Sequence, residues 1–117
     1  NFEGALGVLD ENVVWTMIGD TPVSKTFSGL KDVEENLLAE IFKRTDQEAG
    51  LNLEVIETIS EGDKVVARVQ GTVEAKYGSY NNPYCHVFTV RGGKITEDIE
   101  YLDTALIQKT WYGRTLN

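Results

Sequence analysis

The chain has 117 residues, with 19 acids against 11 lysines and arginines and a net charge of −8, a size that fits one domain around one core. The acidic balance, with no basic cluster beyond Lys43-Arg44, disfavours a nucleic acid or an anionic membrane surface as partner. No apolar run approaches a membrane span, one cysteine cannot form an internal disulfide, and no Cys/His spacing fits a metal centre; a reducing cytoplasm is the expected home.

In chain order, Phe2, Ala5, Leu6 and Leu9 recur at helical spacing and predict the end of a helix over residues 2–9. Asn12 to Ile18 reads as a short strand carrying Trp15, and Gly19-Asp20-Thr21-Pro22 as a turn. Leu30 to Thr45 is the clearest helix, because Val33, Leu37, Leu38, Ile41 and Phe42 form one apolar stripe. Its acids Asp32, Glu34 and Glu35 come early and Lys43 and Arg44 late, which suits the helix dipole. From Leu53 the period changes to two. LEVIETIS (53–60) and KVVARVQGTVEA (64–75) are strands joined by the turn Glu61-Gly62-Asp63. Asn81-Asn82-Pro83 reads as a loop. Tyr84 to Val90 and Lys94 to Leu102 form a hairpin about Gly92-Gly93. Asp103 suits a helix N-cap, and Trp111 and Tyr112 either cover the core or pack on a partner subunit. Helix, short strand, helix and four strands in meander make an α+β fold: a curved antiparallel sheet with helices on one face.

The only histidine, His86, lies beside the only cysteine, Cys85, and faces an acid-rich strand. Side chains alternate along a strand. Tyr84, His86 and Phe88 therefore share a face, as do Asp98, Glu100 and Leu102, and as do Arg68, Gln70 and Thr72. A two-residue Gly-Gly turn puts His86 opposite Ile99; a three-residue turn with a glycine bulge puts it opposite Glu100. The residues alone leave both open. Taken singly, a strand histidine is most often a hydrogen-bonded sheet residue, acids along a last strand a solvated face, and Cys85 a small buried hydrophobe.

Four segments in order, VVWTMIGDTPVSKTFSGLKDV (13–33), DKVVARVQGTVEA (63–75), YCHVFTVRGGKI (84–95) and EYLDTAL (100–106), resemble the nuclear transport factor two-like superfamily, in particular its SnoaL-like and ketosteroid-isomerase-like branch. The resemblance spans nearly the whole chain as a single domain over residues 1–117. It implies a cone: a strongly curved antiparallel sheet wrapped around a pocket, with helices packed on its concave side. The family has one more helix before the segment that opens this chain, and with it an oxyanion-stabilising tyrosine that has no counterpart here.

Carried over residue by residue, the resemblance matches Asp20 to the isomerases' general base and His86 to their neutral acid. It matches His86 and Glu100 to the histidine and acid of the SnoaL-like cyclases, which favours the three-residue turn. Against the epoxide hydrolases, Arg68 and Glu100 match, but Gln70, Met17 and Trp15 replace an acid, an asparagine and a tyrosine, so epoxide hydrolysis is disfavoured. The implied catalytic set is His86, Glu100 and Asp20, with Trp15, Arg68, Gln70, Tyr84, Phe88 and Asp98 lining the pocket. Phe88, Leu102, Leu37 and Ile41 supply apolar walls, and Arg68 keeps Glu100 ionised. The implied function is proton transfer on a small hydrophobic, carbonyl-bearing molecule, isomerisation or cyclisation, with no metal and no cofactor. The alternative is a non-catalytic ligand-binding or dimerisation module. A homodimer joined through the outer sheet face is expected.

Overall fold

A computed structural model describes residues 7–46 and 51–115. Six strands form one curved, unclosed sheet: β1 (Leu9–Met17), β2 (Thr26–Ser28), β3 (Asn52–Glu61), β4 (Lys64–Ala75), β5 (Gly78–Arg91) and β6 (Lys94–Leu102). Their order across the sheet is β2-β1-β6-β5-β4-β3. The last four strands are the expected antiparallel meander. The sheet is nonetheless mixed, because β1 lies parallel to β6. Only a strand from the chain's start, laid beside one from its end, produces that pairing, and strand periodicity carries no information about it.

A helical run, α1, covers residues 30–44, and α2 spans Thr104–Thr110. Inside α1 the segment Val33–Leu38 widens to a π-helix, in which the Ala39 N–H reaches back five residues to the Glu34 carbonyl. Val33 and Leu37 are fully buried there. Thr45, in extended conformation, ends the run. Both helices bury against one face of the sheet, here called the inner face, where Val13, Met17, Val73 and Tyr80 meet Val33, Leu37 and Ile107. Burial of each such large side chain is worth about 1.5–3 kcal/mol. Among the described residues no helix is long and apolar enough to cross a membrane.

Several expectations change. Phe2, Ala5 and Leu6 lie outside the described residues, and Leu9 opens β1. The short strand β2 pairs with β1, Phe27 facing Trp15. Asn81-Asn82-Pro83 lies within the first half of β5, which is 14 residues long. Asn82 is fully buried; its Nδ2 donates to the Asp103 carbonyl and its Oδ1 accepts the Asp103 N–H, both at 3.0 Å. A side-chain amide thus satisfies backbone groups at the end of β6, so a turn-type residue sits inside a strand. Asp103 caps α2 by accepting from the Leu106 N–H at 3.2 Å. Trp111 is 1% exposed and packs on Tyr80, ring centroids 5.0 Å apart. Tyr112 donates its hydroxyl to Glu40 at 2.8 Å, and Arg44 donates to the same carboxylate oxygen at 2.9 Å. The tail therefore covers the core and ties α1 to α2.

Candidate active site

The β5–β6 hairpin sets the site. Arg91 pairs with Lys94 across a two-residue turn in which Gly92 and Gly93 have φ of 59° and 77°, a left-handed pair that glycine adopts freely. Such a turn alone would place His86 opposite Ile99. The register then slips between Thr89 and Val90: Val90 faces Ile95 but Thr89 faces Glu97, leaving Thr96 extra. This bulge brings His86 opposite Glu100. The expected pairing is present, produced by a bulge inside β6 rather than by a longer turn.

Trp15, Tyr84, His86, Phe88, Asp98 and Glu100 consequently converge on the inner face. His86 Nδ1 lies 3.0 Å from both oxygens of Asp98, and Asp98 is wholly buried while the His86 side chain is 14% exposed. The imidazole is flanked by Phe88, nearly parallel at 5.2 Å, and by Tyr84 at 5.8 Å; the Trp15 ring stands on edge at 6.2 Å. These rings fix the imidazole plane. Trp15 Nε1 donates to Glu100 Oε1 at 2.9 Å. Tyr84 donates to the Tyr80 hydroxyl at 2.9 Å. Gly71, across from Asn82, makes room for this ladder, since a Cβ there would come 2.7 Å from the Tyr84 ring.

Burial dominates the electrostatics. It pushes the Glu100 carboxyl up to about 7, with Asp98 adding to the rise and His86 and the Trp15 N–H opposing it. Burial likewise raises Asp98, against the pull of His86. For His86 burial works against the charged form, but the Asp98 hydrogen bond, the Asp98 charge and the Glu100 charge together outweigh it, and its pKa is raised. Tyr80 and Tyr84 are both held well above the usual phenol range by burial.

Three of the expected residues stand elsewhere. Arg68 registers with Cys85, and its neighbour Ala67 faces His86. Alternation therefore turns Arg68 to the outer face, where it donates to Glu57 at 2.7 Å, and it does not reach Glu100. Gln70 shares that outer face and donates to the Gly71 carbonyl at 3.1 Å. Asp20 is exposed in the loop after β1, and its backbone carbonyl accepts from Gln108 at 3.0 Å. Among the described residues no hydrogen bond or ion pair joins Asp20 to the His86 cluster. The resemblance implied Asp98 as a pocket-lining residue, without showing that it, not Glu100, holds the histidine. Tyr80 and the Trp15–Glu100 bond were missed. The spacing of Tyr80 and Tyr84 on one strand face was the available signal for the first; the second depends on the β1–β6 pairing.

His86, Asp98 and Glu100 bring one donor atom each within 4.8 Å of one another, the spacing of a small cation site. Nδ1 lies against both Asp98 oxygens and Glu100 Oε1 accepts from Trp15, while among the described residues no hydrogen bond reaches Nε2 or Oε2. The hydrogen bonds at Nδ1 and Oε1 are satisfied within the protein. A depression of about 310 Å³ lined by Ile59, Glu61, Lys64 and Val66 lies on the outer face and is remote from this chemistry.

The sequence profile of the SnoaL-like domain matches residues 1–98. Among solved structures, TerC co-crystallised with polyporic acid is 25% identical with a TM-score of 0.80, covering 96% of this chain and 86% of its own. An NTF2-like protein of unknown function from Burkholderia pseudomallei is 22% identical with a TM-score of 0.79, over 93% of this chain and 83% of its own. A protein from Jannaschia sp. CCS1, proposed to be a SnoaL-like polyketide cyclase, is 15% identical with a TM-score of 0.72, over 93% of this chain and 76% of its own. The last two likenesses show the fold alone. No curated protein matches the chain in sequence.

Proposed function

We propose that this chain, which belongs to the SnoaL-like domain family, is an acid–base catalyst that moves a proton on a small, carbonyl-bearing molecule, in an isomerisation or a ring closure. The observation that carries the reading is the buried His86–Asp98 pair beside a carboxyl that holds its proton to about 7. Asp98 accepts from His86 Nδ1–H, which leaves Nε2 as the basic nitrogen. Nε2 takes the proton next to the carbonyl, and Asp98 stabilises the imidazolium that forms. Protonated Glu100 donates to the oxygen on which negative charge develops, and His86 returns its proton at the shifted carbon. Each positioned group supplies roughly 10²–10⁴-fold in rate. This set calls for no metal or cofactor, and His86 takes the role of base that the resemblance gave to Asp20. Tyr84, Phe88 and Trp15 supply aromatic walls suited to a hydrophobic ligand in a pocket on the inner face. TerC, the relative co-crystallised with polyporic acid, supports an organic small-molecule ligand.

The test is solvent-deuterium uptake at the α-carbon of a panel of cyclic ketones and 1,3-diketones, followed by NMR. Exchange should occur with the wild type, fall at least 100-fold in His86→Ala and fall strongly in Asp98→Asn. Exchange no faster than with His86→Ala across the panel leaves a ligand-binding module as the function. That second reading is favoured by the protein-internal pairing of Nδ1 and Oε1.

A homodimer and a cytoplasmic setting complete the proposal. Ile59, Val66, Val87 and Ile99 are successive cross-strand neighbours and make one apolar row on the outer face. Ion pairs Arg68–Glu57 and Lys64–Glu97 flank it. Cys85 is a free thiol, as a reducing compartment permits.

A further inference from the structure

We infer that Trp15 is the positioning residue of the acid: its indole N–H occupies Glu100 Oε1, so that the catalytic proton is carried on Oε2. This deepens the function proposed above and rests on Glu100 being its acid. The N–H sits 2.9 Å from Oε1, and among the described residues no hydrogen bond reaches Oε2. A carboxylic acid accepts best at its carbonyl oxygen and donates from the other. An indole that only donates therefore selects Oε1 as the carbonyl and Oε2 as the hydroxyl. Trp15 is itself held in place: it pairs with Phe27 on one side and Asp98 on the other, and stands edge-on to the His86 ring. The ionisable groups acting with or near Glu100 are Asp98 on its own strand and His86, Tyr80 and Tyr84 on β5. Among the described residues no lysine or arginine forms an ion pair with it. The indole is thus the neutral donor that stabilises the ionised form, and its loss should leave the carboxyl harder to ionise.

The chain contains two tryptophans, and the second supplies a control. Trp111 Nε1 is buried and, among the described residues, has no hydrogen-bond partner. In 15N-labelled, ligand-free protein, the Trp15 indole N–H resonance should move with pH at the midpoint of Glu100, be still in Glu100→Gln, and move far more than that of Trp111. In Trp15→Phe, the Glu100 midpoint, read from its 13C carboxyl resonance, should rise by about one pH unit. A Trp15 resonance that ignores the Glu100 titration overturns the inference, even if Trp15→Phe proves too unstable to study. So does an unmoved midpoint in a folded Trp15→Phe. Neither readout uses turnover, so failure of the proposed catalysis would appear separately, as absent exchange with the indole coupling intact.

Discussion

His86 Nδ1 sits 3.0 Å from both carboxylate oxygens of Asp98, although the residue directly across the ladder from His86 is Glu100. The imidazole leans along β6 to the residue facing Phe88. That lean separates the two acids: Asp98 hydrogen-bonds the imidazole and raises its pKa, while Glu100 accepts from Trp15 and is pushed up to about 7 by burial.

The histidine titration follows from this division. In the wild type the His86 ring should titrate above the ordinary 6.5, by the Asp98 contact. In Asp98→Asn the hydrogen bond and charge are gone and burial, the largest opposing effect, governs, so the pKa should drop below 6.5. Glu100→Gln should lower it less. NMR of the single histidine measures all three, and a larger fall in Glu100→Gln than in Asp98→Asn would contradict the assignment.

Stability should fall as pH rises from near 4.5 through 7. Glu100 releases its proton near 4.5 when unfolded but only at about 7 when folded. Between those values the folded state holds more protons, so its advantage is full at low pH and is lost as pH rises through 7. The raised values of His86 and Asp98 act in the same direction. The Glu100 contribution alone is about 3 kcal/mol. Urea unfolding of wild type and Glu100→Gln at pH 5 and pH 8 checks this: the variant should show a clearly smaller loss between the two.

Gly71→Ala should disturb the aromatic ladder. Its Cβ meets the Tyr84 ring at 2.7 Å and Leu53 at 3.3 Å, and overpacking of this kind costs about 1–3 kcal/mol. The displaced Tyr84 ring would loosen its stacking on His86, so the His86 resonances should broaden or shift along with the fall in melting temperature. An unchanged His86 environment would show that the ring adjusts without cost.

Asn82→Ala should cost about 2–3 kcal/mol, because it strands the Asp103 N–H and carbonyl at the point where β6 passes into α2. Chemical denaturation measures the loss, and hydrogen exchange should show faster opening of α2. Equal protection in wild type and variant would mean that solvent replaces the amide freely.

Sedimentation velocity tests the outer face. The wild type should run as a dimer and Val87→Glu, in the middle of the apolar row, as a monomer with the His86 resonances unchanged. A monomeric wild type at 100 μM would remove the proposed interface.

The meander and the longest helix could be read from the sequence because each is written in local periodicity. β4 and β6 begin and end where their patterns do. Alternation grouped Tyr84 with His86 and Phe88, and Asp98 with Glu100, but that the two groups share the inner face was implied only by the resemblance. What periodicity cannot carry is pairing between distant segments and their register. The resemblance put Arg68 beside Glu100, although Ala67 is the residue that meets His86. The His86–Glu100 register came from the resemblance, and its cause, a bulge at Thr96, has no marker among the residues. Asn82 misled for the opposite reason: its local signal is that of a loop, and a long-range amide contact overrides it.

Trp15 and Glu100 are 85 residues apart in sequence, and β1 reaches β6 only after every intervening strand has been made. During synthesis His86 emerges before Asp98 and Glu100, so the base is made before either of its acid neighbours. The acid, its indole partner and the base assemble together as the sheet completes, among the slow, non-local events of folding. Occupancy of the indole–carboxyl bond would therefore report completed folding of the sheet, and partly folded chains would carry no activity of their own.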